Sequence, residues 1–564
     1  MAPMSETVRT KTKKPFAVAL LRNRHGLGFV ILTLLLAAVV LFPIGTLLVM
    51  AFGGTNESLG HVLQFVLPRT LATTAFLMVG VVAGTSIIGT VSAWLVMTFQ
   101  FPGRRIFLWA LVLPLAVPSY LGAYAFVEFF SFTGPLQSLF RGLTGLESAR
   151  EYWFPSVRNT GGAALILSLV FYPYVYLASV ALLKLQGTRL VEASRALGQG
   201  TLRTFTSVLL PLLRPAIAAG VVLALMETLN DIGAVEYLGV ETITFTIFDT
   251  WLTRRDAAGA AQMTMALLLL VFFLVYAERW ARSRQSDTLG GKKQVAAPHQ
   301  QLSGVWAFMA AFWCLLPIIL GFGIPLLTLG GYAIDRLDTL ADRRLHEALA
   351  TSLQIAVLAA ALTVIAGLIM VYAQRLRSGA RWLRVLVRLS SVGYAIPGTI
   401  LALGLFVPMA GFDNWLIDRG EGWFGWSFGL LITGSGVLIL IAYLIRFLAI
   451  AEGNIDGGFR NIPLARDDAS RTMGRGSLAT LLRVHVPTLW PALSAAALLV
   501  FIDALKELSA TIFLRPFGMR TLSTYIYDFA SRARVEETGI ACLVIVLLGV
   551  LPVIIVARRL SSPS

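Results

Sequence analysis

Five ionisable side chains, Glu227, Asp231, Asp503, Lys506 and Glu507, stand within or at the edge of long apolar stretches of a 564-residue chain. A charge at the bilayer centre costs about 2.5 to 3.5 kcal/mol on insertion scales, so such residues face a bundle interior or a polar cavity. Their chemistry is that of a pathway: carboxylates and an ammonium can hold and release a polar cargo without breaking a bond in it. Asp503 and Lys506 are three residues apart and can neutralise each other on one helical face, with Glu507 one turn from Asp503. A salt-bridged helix end at the membrane interface is the plainer reading of the same residues. Arg446, in another apolar stretch, reads as a snorkelling or pairing residue near the cytoplasmic end.

A second set of residues is written twice. Glu192-Ala193-Ser194-Arg195-Ala196-Leu197-Gly198 recurs as Asp468-Ala469-Ser470-Arg471-Thr472-Met473-Gly474. Each glycine is followed 13 residues later by a proline (Pro211, Pro487) and 4 residues after that by another (Pro215, Pro491). Asp231 and Glu507 each stand 33 residues after their motif glycine. An acidic residue, a turn of small residues and a glycine free to adopt positive φ describe a short helix with a defined stop. A single copy would read as an ordinary connection. Duplication at fixed spacing instead suggests a docking peg used once in each half of the chain.

These residues need a membrane to make sense. Hydrophobic residues are 57% of the chain and charged residues 13%, so lipid must be the solvent for much of its surface. The apolar runs exceed 18 residues and lack period-two alternation, which predicts helices rather than a barrel. The expected spans, to within several residues at each end, are 29–52, 73–98, 107–130, 161–183, 208–230 and 262–280, then 303–327, 351–374, 389–410, 428–450, 489–512 and 539–557. The expected fold is therefore an all-α integral membrane protein of about 12 transmembrane helices in two pseudo-symmetric six-helix repeats. Its units are a basic tail (1–28), a first half (29–282), a linker (283–302), a second half (303–558) and a short tail (559–564). Each third span carries a proline, Pro118 in one half and Pro397 in the other. Such prolines break a helix, and a broken helix in a membrane often lines a pathway, although a kink satisfied by neighbouring helices is the simpler use. The first span is too long for a signal-peptide core and is expected to anchor the chain.

Lys and Arg concentrate on the side of the termini, in Arg9 to Arg24, Arg279 to Lys293 and Arg375 to Arg388. The positive-inside rule then makes both termini cytoplasmic. It also accounts for much of the net charge of +16 without nucleic-acid binding, although such a face can meet anionic lipid. No Gly-x-x-x-x-Gly-Lys-Ser/Thr loop occurs, so the chain is not expected to hydrolyse ATP. Its five histidines are dispersed and its two cysteines fall in predicted spans, which argues against a metal cluster or a disulfide framework. Nor does a catalytic triad or an acid and base pair stand out.

The duplicated loop resembles the glutamate-alanine-alanine, glycine, leucine-proline motif of permease subunits of bacterial ABC importers. The resemblance implies a type I importer fold in the bacterial inner membrane. It also implies that Glu192, Ala193 and Gly198, and Asp468, Ala469 and Gly474, form coupling helices that dock on a cytosolic ABC ATPase dimer. Serine at the second alanine (Ser194, Ser470) and aspartate at 468 are mild departures.

A single chain with both halves is typical of a narrower group that includes ferric-iron and thiamine permeases. Lys506-Glu507-Leu508-Ser509-Ala510-Thr511, Leu514-Arg515-Pro516-Phe517-Gly518 and Thr521-Leu522-Ser523-Thr524 look like the ferric-iron members. So do Asn230-Asp231-Ile232-Gly233-Ala234-Val235, Phe245-Thr246-Ile247-Phe248 and Trp251. Ser509 stands where that group often has proline, which questions the local helix break.

By this resemblance the chain would move ferric iron, delivered by a periplasmic binding protein, into the cytoplasm by alternating access. ATP and Mg would be bound by the partner subunit and no cofactor by this chain. Pro118, Pro397, Glu227, Asp231, Asp503, Lys506 and Glu507 would be its pathway or gate residues. Thiamine, phosphonate or another small solute fits the same architecture. A secondary transporter driven by an ion gradient, also built from repeats and intramembrane acids, is the alternative of another class.

Overall fold

The computed structural model describes residues 26–53, 60, 62–184, 194, 196–287, 300–424 and 429–561. The tail before residue 26, most of the expected linker (288–299) and the motif residues Glu192 and Ala193 lie outside them. Among the described residues eleven helices are long and apolar enough to cross a membrane, or twelve with one bent pair counted as a span. That pair, Arg104–Ala116 and Ser119–Thr144, turns through 92° just where Pro118 stands. The ninth span breaks at the matching place: the Arg381–Ser390 helix and a short 3-10 turn end before Pro397, and Gly398–Phe424 follows.

Several boundaries differ from expectation. The helix expected over 489–512 ends at Lys506, because Glu507 turns extended and its carboxylate takes over the capping of the next backbone N–H groups. The helix expected from 428 begins at Val437, after Gly436 at φ 77°, a conformation open mainly to glycine. It then runs to Arg460, past the apolar run. The ninth span, expected to end at 410, runs on to Phe424, and the other spans agree to within about three turns. Among the described residues there is also one two-residue parallel ladder, Phe99–Gln100 with Gln300–Gln301.

Within each half the main packing unit is the same. Leu67–Thr98 packs on Thr160–Leu182, and Arg343–Leu376 on Val437–Arg460, with Leu210–Asn230 and Val486–Lys506 as third members. Gly80 and Gly84 face Ala164 and Ser168, where any added Cβ would collide, so small residues four apart let the backbones touch.

The halves also exchange their first helices. Leu27–Phe52 packs on Arg343–Leu376 and Gly398–Phe424 of the second half, with Thr46 Oγ1 donating to Gly404 O at 2.6 Å. The Gly304–Asp335 span packs on the first half, where Gly321 lies against Leu169 O and Pro114. This crossing interlocks the repeats around one interface, and the ionisable residues lie there.

Candidate functional site

A cavity of about 140 Å³ lies between the halves. Pro118, Glu227, Asp231, Asp503, Lys506 and Glu507 all line it. Pro397 does not, but it is buried beside Gly398, whose N–H donates to Asn230 Oδ1 at 2.8 Å across the interface. The two broken third spans thus bracket the cavity.

The acids that match by position also match by geometry. Asp231 Oδ1 accepts from Ala234 N at 2.9 Å, and Glu507 Oε1 from Ala510 N at 2.8 Å. Each carboxylate caps the short helix that follows the break, Gly233–Tyr237 in one half and Thr511–Leu514 in the other. The second break forms without proline because Thr511 N also donates to Glu507 and Ser509 Oγ donates to Asn230 O at 2.6 Å.

Beyond these caps the two acids differ. Glu507 Oε1 is paired at 2.8 Å with Arg446 Nη1, whereas Asp231 Oδ2 makes no hydrogen bond. Arg446 is therefore a buried pairing residue of the cavity, reached from the middle of its helix, and not a snorkelling residue at a cytoplasmic end. Asp503 and Lys506 do pair, at 3.7 Å, inside the cavity lining. Glu227 accepts from Tyr394 Oη of the other half at 2.8 Å. Arg446 and Tyr394 escaped the sequence reading as lining residues; the short distance of Tyr394 from Pro397 was the available signal.

The duplicated loops are the second feature. In the second half Ala465–Thr472 is a helix carrying Asp468 and Ala469, both exposed. Gly474 at φ 75° ends it, with Arg475 N bonding back to Ser470 O. Gly198 at φ 76° and the bond from Gln199 N to Ser194 O repeat the stop. A Cβ at either glycine would meet nothing within 4 Å, so backbone conformation and not space demands glycine.

The serines that depart from the motif have a use: Ser194 pairs with Thr204 (2.9 Å) and Ser470 with Thr480 (2.8 Å), each tying its loop to the next helix. Leu197 and Met473, matching positions just before the glycines, are 81% and 63% exposed, a poor use of apolar surface unless something covers it.

Only the second loop has an ionic anchor among the described residues. Arg375 donates through Nε and Nη2 to Asp467 Oδ2 (2.9 and 2.6 Å), and His485 Nε2 meets Asp467 Oδ1 at 2.8 Å. Arg375 also donates to the carbonyls of Phe459, Ile462 and Pro463. Burial pushes the Asp467 carboxyl up, but Arg375 and His485 outweigh it and hold it below the ordinary carboxylate value. A carboxylate depressed in this way stabilises the fold above the ordinary carboxylate pKa, and that contribution fades only as pH falls through the lowered value.

We expect Asp467→Asn to lower the melting temperature at pH 7 and to narrow its gap from the parent on acidification. Equal gaps at both pH values would show that the charge does not hold the loop.

Both halves of the chain resemble known proteins. The chain matches the family described as "Binding-protein-dependent transport system inner membrane component" twice, over residues 85–285 and 363–562. It is 27% identical over 496 residues to the Fe(3+)-transport system permease protein FbpB 2 of Haemophilus influenzae, covering 86% of this chain and 89% of that protein. It is 26% identical over 401 residues to the ferric transport system permease protein FbpB of Actinobacillus pleuropneumoniae, covering 67% of this chain and 55% of that one. A putative 2-aminoethylphosphonate transport system permease protein, PhnU of Salmonella choleraesuis, is 26% identical over 274 residues, 46% of this chain and 94% of its own length. Two matches to one permease unit, on two packed helical repeats with a shared cavity, place the chain among the ABC importer permeases: it belongs to the binding-protein-dependent transport system inner membrane components, as a fusion of two halves.

Proposed function

We propose that this permease moves ferric iron into the cytoplasm by alternating access, with ATP hydrolysed on a separate cytosolic ABC ATPase dimer. The observation that carries the cargo assignment is the cavity between the halves, where four carboxylates face two cationic side chains. An excess of negative charge favours a cation and opposes an oxyanion such as a phosphonate. The names of two relatives, both ferric-iron transport permeases, point to the same cargo.

The duplicated loops, with their fixed stops and exposed Leu197 and Met473, are the surfaces for the ATPase. A periplasmic binding protein delivers the cargo to the opposite face. The concentration of Lys and Arg on the loops of the termini's side supports cytoplasmic termini. ATP binding draws the two loops together and opens the cavity outward, and hydrolysis resets it, the ATPase's differential affinity for the two states supplying the coupling.

Uptake into vesicles holding this chain, its ATPase and its binding protein tests the reading. Ferric uptake that needs ATP is expected. ATP-driven uptake of thiamine or a phosphonate alone would discard the iron assignment, and uptake without ATP would favour an ion-driven carrier. Replacing both Gly198 and Gly474 with valine strains each stop by about 1 to 2 kcal/mol. Transport should fall while the membrane-embedded fold persists, and normal transport in the double variant would refute coupling through these loops.

A further inference from the structure

A second cavity, of about 250 Å³, lies beyond the helix breaks, at the end remote from the duplicated loops. It is lined by Tyr124, Tyr237, Tyr527 and Glu236, with Arg158 and Ala530. Gly233 lines both this vestibule and the central cavity, so the two spaces adjoin at this residue. An added Cβ at Gly233 would stand 2.8 Å from Leu508 Cδ2 and 3.0 Å from Tyr120 Cβ.

The repeat makes this vestibule informative, because each lining residue has a counterpart. The caps formed by Asp231 and Glu507 set one register, in which Glu236 matches Ile512 and Tyr237 matches Phe513. Another pair of bonds sets the register of the next helices: Ile243 N to Thr74 Oγ1 at 2.9 Å, and Leu522 N to Ser352 Oγ at 2.7 Å. There Tyr527 matches Phe248, and Ala530 matches Trp251. In the same way Tyr124, six residues after Pro118, matches Leu403.

Every polar lining residue named in these matches is therefore apolar in the copy. The copy is also filled: Phe513 packs on Phe248 and Trp251 with ring centroids 5.1 and 5.4 Å apart, and Trp251 occupies the place that Ala530 leaves open. The polar side is held together across the halves by Tyr527 Oη donating to both oxygens of Glu236 (2.9 and 2.8 Å). Behind it Tyr237 Oη donates to Glu128 at 2.9 Å, and Tyr332 Oη to the same carboxylate at 3.3 Å.

We propose that this one-sided vestibule is an outer binding site for a hard trivalent cation on its way to the central cavity, held by the Glu236 carboxylate and the phenolate oxygens of Tyr237 and Tyr527. The proposal rests on the cation reading above and adds a place and a set of ligands to it. Phenolate and carboxylate oxygens are the donors such a cation prefers.

Without metal, the Tyr527 phenol donates to Glu236 and the Tyr237 phenol to Glu128, with the Arg158 guanidinium 5.0 Å from the Tyr237 ring. Binding replaces two O–H bonds by two metal–oxygen bonds, and the two protons leave to the external water. No electron moves and the iron stays trivalent. The matching aromatic cluster in the other half closes the second route, so that cargo enters on one side of the pseudo-two-fold.

The test titrates the full-length chain in nanodiscs with chelated Fe³⁺ and reads the visible phenolate-to-iron charge-transfer absorbance. A band saturating near one iron per chain is expected. It should vanish in the Tyr237→Phe/Tyr527→Phe double variant, which installs the residues the copy already holds there, and its midpoint should weaken at least about tenfold in Glu236→Gln. No band in the parent, or an undiminished band in the double variant, overturns the site.

Ala530→Trp, which copies Trp251, provides a separate readout: it should fill the vestibule and block ATP-driven iron uptake while the chain stays monodisperse. Intact iron uptake in that variant refutes the vestibule alone. Absence of ATP-driven iron uptake by the parent would instead refute the cargo reading on which it rests.

Discussion

Arg446→Ala should be the most damaging single change to the stability of this permease. The Arg446 and Glu507 side chains are 9% and 2% exposed and 2.8 Å apart. Removing the guanidinium leaves a buried carboxylate with neutral donors only, from Ala510 N, Thr511 N and the Thr511 hydroxyl. Breaking a buried pair from one side costs about 3 to 5 kcal/mol, because the remaining charge is uncompensated. Glu507 also caps the Thr511–Leu514 helix after the break, so the loss spreads to that segment.

The double variant Arg446→Ala/Glu507→Gln keeps most of the capping and abandons no charge. It should recover a large part of the loss, so the two changes will be far from additive. Thermal melts of the four proteins in nanodiscs measure this. A single variant that melts with the parent, or a double variant as unstable as the sum, would show that the pair does not organise the cavity.

The contrast between Arg446 and the motif glycines explains what could be read without coordinates. Helix number followed from apolar runs, because lipid leaves the backbone few other ways to satisfy its hydrogen bonds. The match of Asp231 with Glu507 was visible as equal spacing from Gly198 and Gly474, and it survives in three dimensions because both carboxylates perform one local job, capping a helix three residues on. Local chemistry at a fixed offset leaves a trace in sequence.

Arg446 and Glu507 are 61 residues apart, and no periodicity links a mid-helix cation to an acid on another span. The anchor of Arg375, Asp467 and His485 joins three segments, and its acid and imidazole are not duplicated in sequence, where the matching positions of the first half are Val191 and Leu209, so duplication could not reveal it. The vestibule was hidden for a further reason. Its counterparts align only after the two halves shift register by three residues between Glu236 and Tyr527, a shift that the paired bonds of Thr74 and Ser352 make plain.

The double variant Leu197→Asp/Met473→Asp should uncouple the transporter without unfolding it. Both side chains are largely exposed in the permease alone, so polar replacements there change its own stability by no more than about 0.5 kcal/mol. Each sits one residue before a glycine whose positive φ fixes where the short helix ends, so its position relative to a docked partner is set by the backbone. An apolar side chain that enters a partner's pocket behaves as a hot spot worth about 2 kcal/mol or more, and a carboxylate forced into that pocket opposes docking further.

Two such sites on separate halves, acting independently, add, so ATPase association should weaken about 10³-fold. Transport should cease, while the melting temperature and the iron absorbance of the isolated permease remain those of the parent. Co-purification of the ATPase with the variant, measured beside its melt, decides the matter: full association would mean that these loops are not the docking surface, whereas loss of association together with a lowered melting temperature would trace the effect to folding.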